Sequence, residues 1–138
     1  MSYTGNGTGA GARTVGHGLG VTPSMVIVKS RGAARGWETW FNGFSSSEYI
    51  FLNTTAAKAS FSNNWGSTPT STVFGVNNST NSNNASEAYI AYCFAEVAGY
   101  SKFGTYTGNG SAGNSVTGLG FQPAWLMIKC SSTASTPW

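Results

Sequence analysis

Four glutamates, one histidine and two cysteines are the side chains of this sequence best suited to chemistry, and no aspartate accompanies them. Two carboxyls facing each other across a cleft could hydrolyse a glycoside, one as acid and one as base or nucleophile. Glu38, Glu48, Glu87 and Glu96 are the available acids, and each also reads as a solvent-facing residue at a strand margin. His17 sits among glycines in VGHGLG. A nucleophilic triad needs an acid to orient its base, and the spacing of the glutamates supplies none. A histidine satisfied within a turn is the expectation. Calcium loops need several carboxylates close together, and zinc clusters need more Cys and His than this chain has. The glycine-rich stretches GNGTGAG and GNGSAG lack the Lys-Ser/Thr and the helix that a phosphate loop requires. No catalytic, cofactor-binding or metal residue is expected, and the chain is read as a non-enzyme that needs no cofactor.

Aromatic side chains remain. Trp37, Trp40 and Trp65, with Tyr49, could stack on sugar rings if they point outward. Core packing is the competing role, because aromatics dominate β cores. Trp65 lies in the polar stretch NNWGST and is the best outward candidate. Trp65, Trp40 and Tyr49 are therefore the candidate glycan contacts.

The composition limits the rest. Charged residues make up 8% of the chain, against about 25% in average soluble proteins. Solubility must come from Ser, Thr, Asn and the 19 glycines, a balance that suits virion surfaces, extracellular proteins and self-assembling proteins. The net charge of +3 comes from scattered Arg13, Lys29, Arg31, Arg35, Lys58, Lys102 and Lys129. No basic stripe forms, so nucleic acid is not an expected partner. Arg31 and Arg35 read as solvated arginines of a turn. Cys93 and Cys130 each lie in an apolar run and read as small buried hydrophobes, not as a bridge. No apolar run reaches transmembrane length, so no membrane insertion is expected. The start, SYTGNG after Met1, is no signal peptide. An extracellular location would then follow from lysis, removal of an earlier segment or another route. Asn-x-Ser/Thr triplets at Asn6, Asn53, Asn78, Asn84 and Asn109 follow from composition alone.

Short β-branched and aromatic runs alternate with Gly/Asn/Ser/Thr clusters, which is the pattern of strands and turns. Strands are predicted over 25–29, 37–42, 48–53, 72–76, 88–97, 103–107 and 125–129. The 54–60 stretch reads as one helical turn, and 77–86 (NNSTNSNNAS) as an exposed polar loop. Asn6-Gly7, Asn42-Gly43 and Asn109-Gly110 favour type I′ hairpin turns. Pro23 and Pro123 mark strand starts. The fold class is all-β, an antiparallel sandwich or a jelly roll.

The most informative pattern is a repeat. Residues 2–29 read SYTGNGTGAGARTVGHGLGVTPSMVIVK, and residues 105–129 read TYTGNGSAGNSVTGLGFQPAWLMIK. Tyr3 aligns with Tyr106, one TGNG with the other, Gly18-Leu19-Gly20 with Gly118-Leu119-Gly120, Pro23 with Pro123, and Lys29 with Lys129. Thr117 stands opposite His17, so the repeat does not require a histidine. Trp138 falls opposite Trp37. The spacing is that of a small β domain, longer than a solenoid repeat of roughly 20–50 residues. The reading is one β domain over 1–138, with a first unit at 1–101 and the start of a second at 102–138. Tyr106, Phe121, Trp125 and Met127 are the candidate assembly positions. Their strands are expected to close the first unit's sheet or to be exchanged with a neighbour; a truncated longer chain is the third alternative.

YTGNG…GLG…P followed by an apolar run and Lys, with YIAYCFAEV, GYSKFGTYTGNG and GFQPAWLMIK, resembles a repeat domain of unknown function from tail-fibre and other virion-surface proteins of phages. The resemblance is strongest over 88–129. It implies a structural or receptor-facing module without catalytic residues, located on a virion or outside the cell. This sequence departs from the family's pattern by stopping early in the second repeat and by lacking the acids that often follow the aromatic strand. The leading expectation is a homo-oligomeric virion or tail-fibre module that contacts host-surface glycans. The alternatives are a subunit of a filament built by strand exchange, and a carbohydrate-binding module or carbohydrate-active enzyme.

Overall fold

The computed structural model describes residues 1–9 and 12–136. Among them, one antiparallel sheet runs in the order β1 (Ser2–Thr4), β8 (Ala88–Phe94), β3 (Met25–Ser30), β4 (Glu38–Phe41), β5 (Glu48–Phe51) and β6 (Ala59–Ser60). A second antiparallel sheet pairs β2 (Arg13–Gly16) with β7 (Val73–Val76). One helical turn, α1 (Thr80–Asn83), begins at Ser79, whose hydroxyl accepts from the Asn81 amide. The architecture is an antiparallel β-sandwich.

The central strand β3 shows why the layers form. Its alternate residues Val26 and Val28 are fully buried, as the two-residue period of a strand with one face in a core requires. Their cross-strand partners are Trp40 and Cys93 for Val26, and Glu38 and Ala91 for Val28. β2 and β7 cover this face with Val15, Phe74 and Val76, and Trp65 and Tyr89 complete the core. The loop at 65–67 runs close against β7 at Gly75, where a Cβ would stand 2.2 Å from the Trp65 carbonyl oxygen. Only glycine fits there.

The other face of β3 is apolar too. Met25 stands beside Phe41 and Phe94, and Ile27 beside Thr39 and Tyr92. Part of this outer face is covered by residues 102–136, which contain no strand among the described residues. They lie across it as irregular chain. Phe103 meets Phe41 and Phe94 with ring centroids 6.4 Å apart in each case. The Lys58 amide donates to the Ser131 carbonyl and the Ser135 amide to the Thr55 carbonyl, both at 2.9 Å.

Several expectations need correction. The predicted strands at 103–107 and 125–129 are not formed, so Pro123 starts none. Residues 102–136 do not close the first unit's sheet by strand pairing. β8 ends at Phe94, three residues short of the expectation. The 54–60 stretch is not helical; its end contributes β6. The polar loop is only partly exposed: Thr80, Ala85 and Ser86 face solvent, but Asn77, Ser79, Ser82 and Asn83 are buried. The Asn-Gly pairs are not type I′ turns. Gly7, Gly43 and Gly110 have positive φ, but Asn6, Asn42 and Asn109 do not, and β1 and β2 belong to different sheets. Trp138 lies outside the described residues.

Candidate assembly segment

The first TGNG turn does a definite job. The Gly5 amide donates to the Glu87 carbonyl (2.9 Å), and the Ser86 amide to the Gly5 carbonyl (3.0 Å). The Asn6 amide donates to Asn83 Oδ1, and the Gly7 amide to the Asn83 carbonyl, both at 3.1 Å. Asn83 Nδ2 returns a bond to the Gly7 carbonyl at 3.2 Å. The turn thus docks on the 83–87 loop, and Gly5 is essential to the fit: a Cβ there would stand 2.1 Å from the Asn84 carbonyl oxygen. Beside it, Tyr3 stacks on Tyr89 at 5.4 Å and donates to the Ser82 carbonyl at 2.6 Å. Burial pushes the Tyr3 hydroxyl's pKa well up.

The second TGNG turn has the same residues without that dock. Two local bonds hold it, from Asn114 Nδ2 to the Thr107 carbonyl and from the Ser111 amide to Asn109 Oδ1. A Cβ on Gly108, the counterpart of Gly5, would meet nothing within 4 Å. Local turn geometry is nevertheless kept: Gly18 and Gly118 have φ of 70° and 81°, and Gly20 and Gly120 have 74° and 76°. The strand that should follow is not formed. Leu126 and Ile128, counterparts of the fully buried Val26 and Val28, are 69% and 46% exposed. Trp125 is exposed, Tyr106 and Met127 partly so, and Phe121 is half-buried. Trp125 and Met127 line an apolar cleft of about 290 Å³ with Met25, Ile27, Trp37, Leu52, Phe94 and Phe103. Such a cleft suits apolar side chains; it offers a sugar almost no polar partner.

The candidate glycan contacts fall elsewhere. Trp65 is 1% exposed, and its Nε1 donates to the Glu48 carbonyl at 3.0 Å. Trp40 is buried in the core as well. Neither can present a ring face to a sugar, which corrects both assignments. The polar neighbours of Trp65 misled the reading, because Asn64 is itself buried. Tyr49 is half-buried and lines a groove of about 270 Å³ with Phe61, Asn64, Asn78, Ser79, Thr80 and Asn81.

The glutamates do not meet in a cleft. Glu48 pairs with Lys58, Glu96 with Lys102 and Glu87 with Arg35. The Arg35–Glu87 pair is bidentate at 2.7–2.9 Å, and the Ser30 hydroxyl and Asn84 amide also donate to Glu87. Arg35 chiefly, with these donors, holds the Glu87 carboxyl down to about 2. Arg35 is therefore no freely solvated turn residue. His17 is a satisfied turn histidine. The Leu19 amide donates to its Nδ1 at 3.2 Å, and its Nε2 lies 3.0 Å from the Thr70 carbonyl.

Sequence reasoning missed Glu38, which it placed at a solvent margin. The side chain is fully buried, its Oε1 accepts from Asn64 Nδ2 at 2.7 Å, and burial raises its pKa. Folding thus favours its protonated form. The stability contributed by that proton is full below the ordinary carboxyl value and is lost as pH rises through the raised one. Glu38→Gln keeps an oxygen for Asn64 and removes the charge. Thermal unfolding is expected to show the variant more stable than the parent above neutrality, with the gap closing in acid. A gap independent of pH would contradict this.

The two thiols are free and differ. Cys93 packs half-buried against the core, and burial pushes it up to about 11. Cys130, no buried strand residue, is brought down to about 7 by the Ser132 hydroxyl and neighbouring backbone groups. Reaction with iodoacetamide at neutral pH, followed by mass spectrometry, is expected to modify Cys130 first, since thiolate is the reacting form. Equal rates would contradict that environment.

A sequence-family model described as Domain of unknown function (DUF7483) matches residues 1–138. No curated protein and no solved structure matches the chain.

Proposed function

We propose that this chain, which belongs to the DUF7483 family of unknown function over residues 1–138, is a non-catalytic structural module of a phage virion surface or tail fibre that associates with copies of itself. The observation that carries the reading is the second copy of the first strands, left unpaired with its apolar side chains in water. Trp125 and Met127 line an apolar cleft with Trp37 and Phe94, Leu126 and Ile128 are exposed as well, and burying such surface yields roughly 25 cal/mol per Å². The sparse charge of the chain offers little electrostatic opposition to association. Virion location rests on the resemblance of the repeat and on the composition.

A filament made by strand exchange is the weaker form of this reading. Each chain carries two sets of N-terminal strands and one slot between β8 and β4 to receive them. Exchange between identical chains leaves one set per chain unpaired and gains no pairing. Association through the outer face has no such deficit. Sedimentation with electron microscopy is the test. Discrete oligomers or fibres that dissociate on Trp125→Ser with Leu126→Ser are expected; monomers at all concentrations would overturn the proposal.

The groove of Tyr49 and Phe61 favours a second reading, contact with surface glycans. Phe61 is exposed beside Asn78, Thr80 and Asn81, and a ring face with neighbouring polar groups suits a sugar. Binding on a glycan array that Phe61→Ala abolishes would support it; an array without signal would remove it.

A further inference from the structure

We infer that residues 105–130 are built to occupy a second slot of the same kind, formed by strands equivalent to β4–β8 and a loop equivalent to 83–87. This rests on reading 102–136 as an association element and names its partner: a polypeptide segment of this same fold presenting an empty β8/β4 slot.

Three observations converge. First, Gly5 is required because the Asn84 carbonyl crowds it, whereas Gly108 lies in open space. A glycine at 108 meets its need only where a carbonyl like that of Asn84 approaches. Second, Leu126 and Ile128 repeat the alternation that buries Val26 and Val28, yet stand in water. Third, the paired glycines at 18/118 and 20/120 keep the same backbone hand, so the turns before the strand are already set. What is missing is the neighbour on each side. β3 has β8 on one edge and β4 on the other, and both are filled by the first copy.

The fit also shows why the second copy does not displace the first. Leu126 and Ile128 each exceed the valine they would replace by one methylene. A core packed around valine resists such additions, so residues 25–30 keep the existing slot. A slot that receives 125–130 has its own, roomier packing or gives way slightly.

The test extends the full chain. Trp138 aligns with Trp37 once one inserted residue is allowed after Lys129, so a second copy of residues 38–101 is joined directly after it. Amides at 106–110, and those of Leu126 and Ile128, are expected to gain protection from hydrogen exchange of roughly a hundredfold or more over the unextended chain. A second unfolding transition, below the first, is expected to accompany this. Gly108→Val is expected to be silent in the unextended chain and to abolish the second transition in the extended one. Unchanged exchange at these amides, or a Gly108→Val variant silent in both chains, would overturn the inference. A control extended chain has residues 105–130 replaced by 2–30. If it alone shows the second transition, the fault lies in the second-copy strands, and the inference also falls. Monomeric behaviour of the unextended chain would sink the self-association reading and leave this result intact.

Discussion

Replacing Trp65 by alanine is expected to destabilise the chain by about 3–5 kcal/mol, the usual cost of deleting a large aromatic from a packed core. The ring is 1% exposed and sits in the core with Val26, Trp40, Phe74 and Tyr89. Its Nε1 satisfies the Glu48 carbonyl, and losing that bond adds about 1 kcal/mol. Domains of this size have stabilities of about 5–15 kcal/mol, so the variant should lose much of its cooperative transition in urea. Trp125→Ala is the matched control. Trp125 is 75% exposed, and changes at such surface positions stay within about 0.5 kcal/mol. Similar costs at both positions would contradict the placement of the two tryptophans.

The second large effect separates the two copies of the repeat. Gly5→Ala places a methyl 2.1 Å from the Asn84 carbonyl oxygen. Neither partner can yield easily, because the Gly5 and Asn6 amides are both bonded into the 83–87 loop. The loss is expected to be about 3 kcal/mol, at the upper end of overpacking costs. Gly108→Ala meets open space and is expected to be neutral, or stabilising by about 0.4–1 kcal/mol through the unfolded chain. Urea midpoints of the two variants measure the contrast. Equal losses would mean that the second turn is already docked.

Much of the sandwich was legible in the sequence because short β-branched and aromatic runs between turn clusters are a local signal. Residues 25–29 and 48–53 are such runs, and β3 and β5 lie there. The two shortest N-terminal strands carry too few apolar residues to stand out. Ser2–Thr4 and Arg13–Gly16 are held by partners about 60–90 residues away. The failures at 103–107 and 125–129 have one cause. Those residues carry strand propensity, but a strand needs neighbours, and β8 and β4 are already occupied. Propensity could not reveal that. The polar residues failed for the opposite reason. Glu38, Asn64 and Asn83 are buried because Asn64 donates to Glu38 and Asn83 donates to the backbone, as most buried polar groups find partners. Composition alone places such residues in water. The candidate site was legible only through the repeat, which marks 105–129 as a second copy of 2–29; the pairing expected with the first unit's own sheet is not formed.

Native-state hydrogen exchange, at a concentration where the chain is monomeric, tests most directly the claim of one complete β module followed by an unpaired copy of its first strands. Amides of Val26, Val28 and Lys29 are expected to exchange only through global unfolding. Amides of Leu126 and Ile128 are expected to exchange near the rate of open chain. Equal, strong protection at both sets would contradict the account, because it would require the second copy to be paired already.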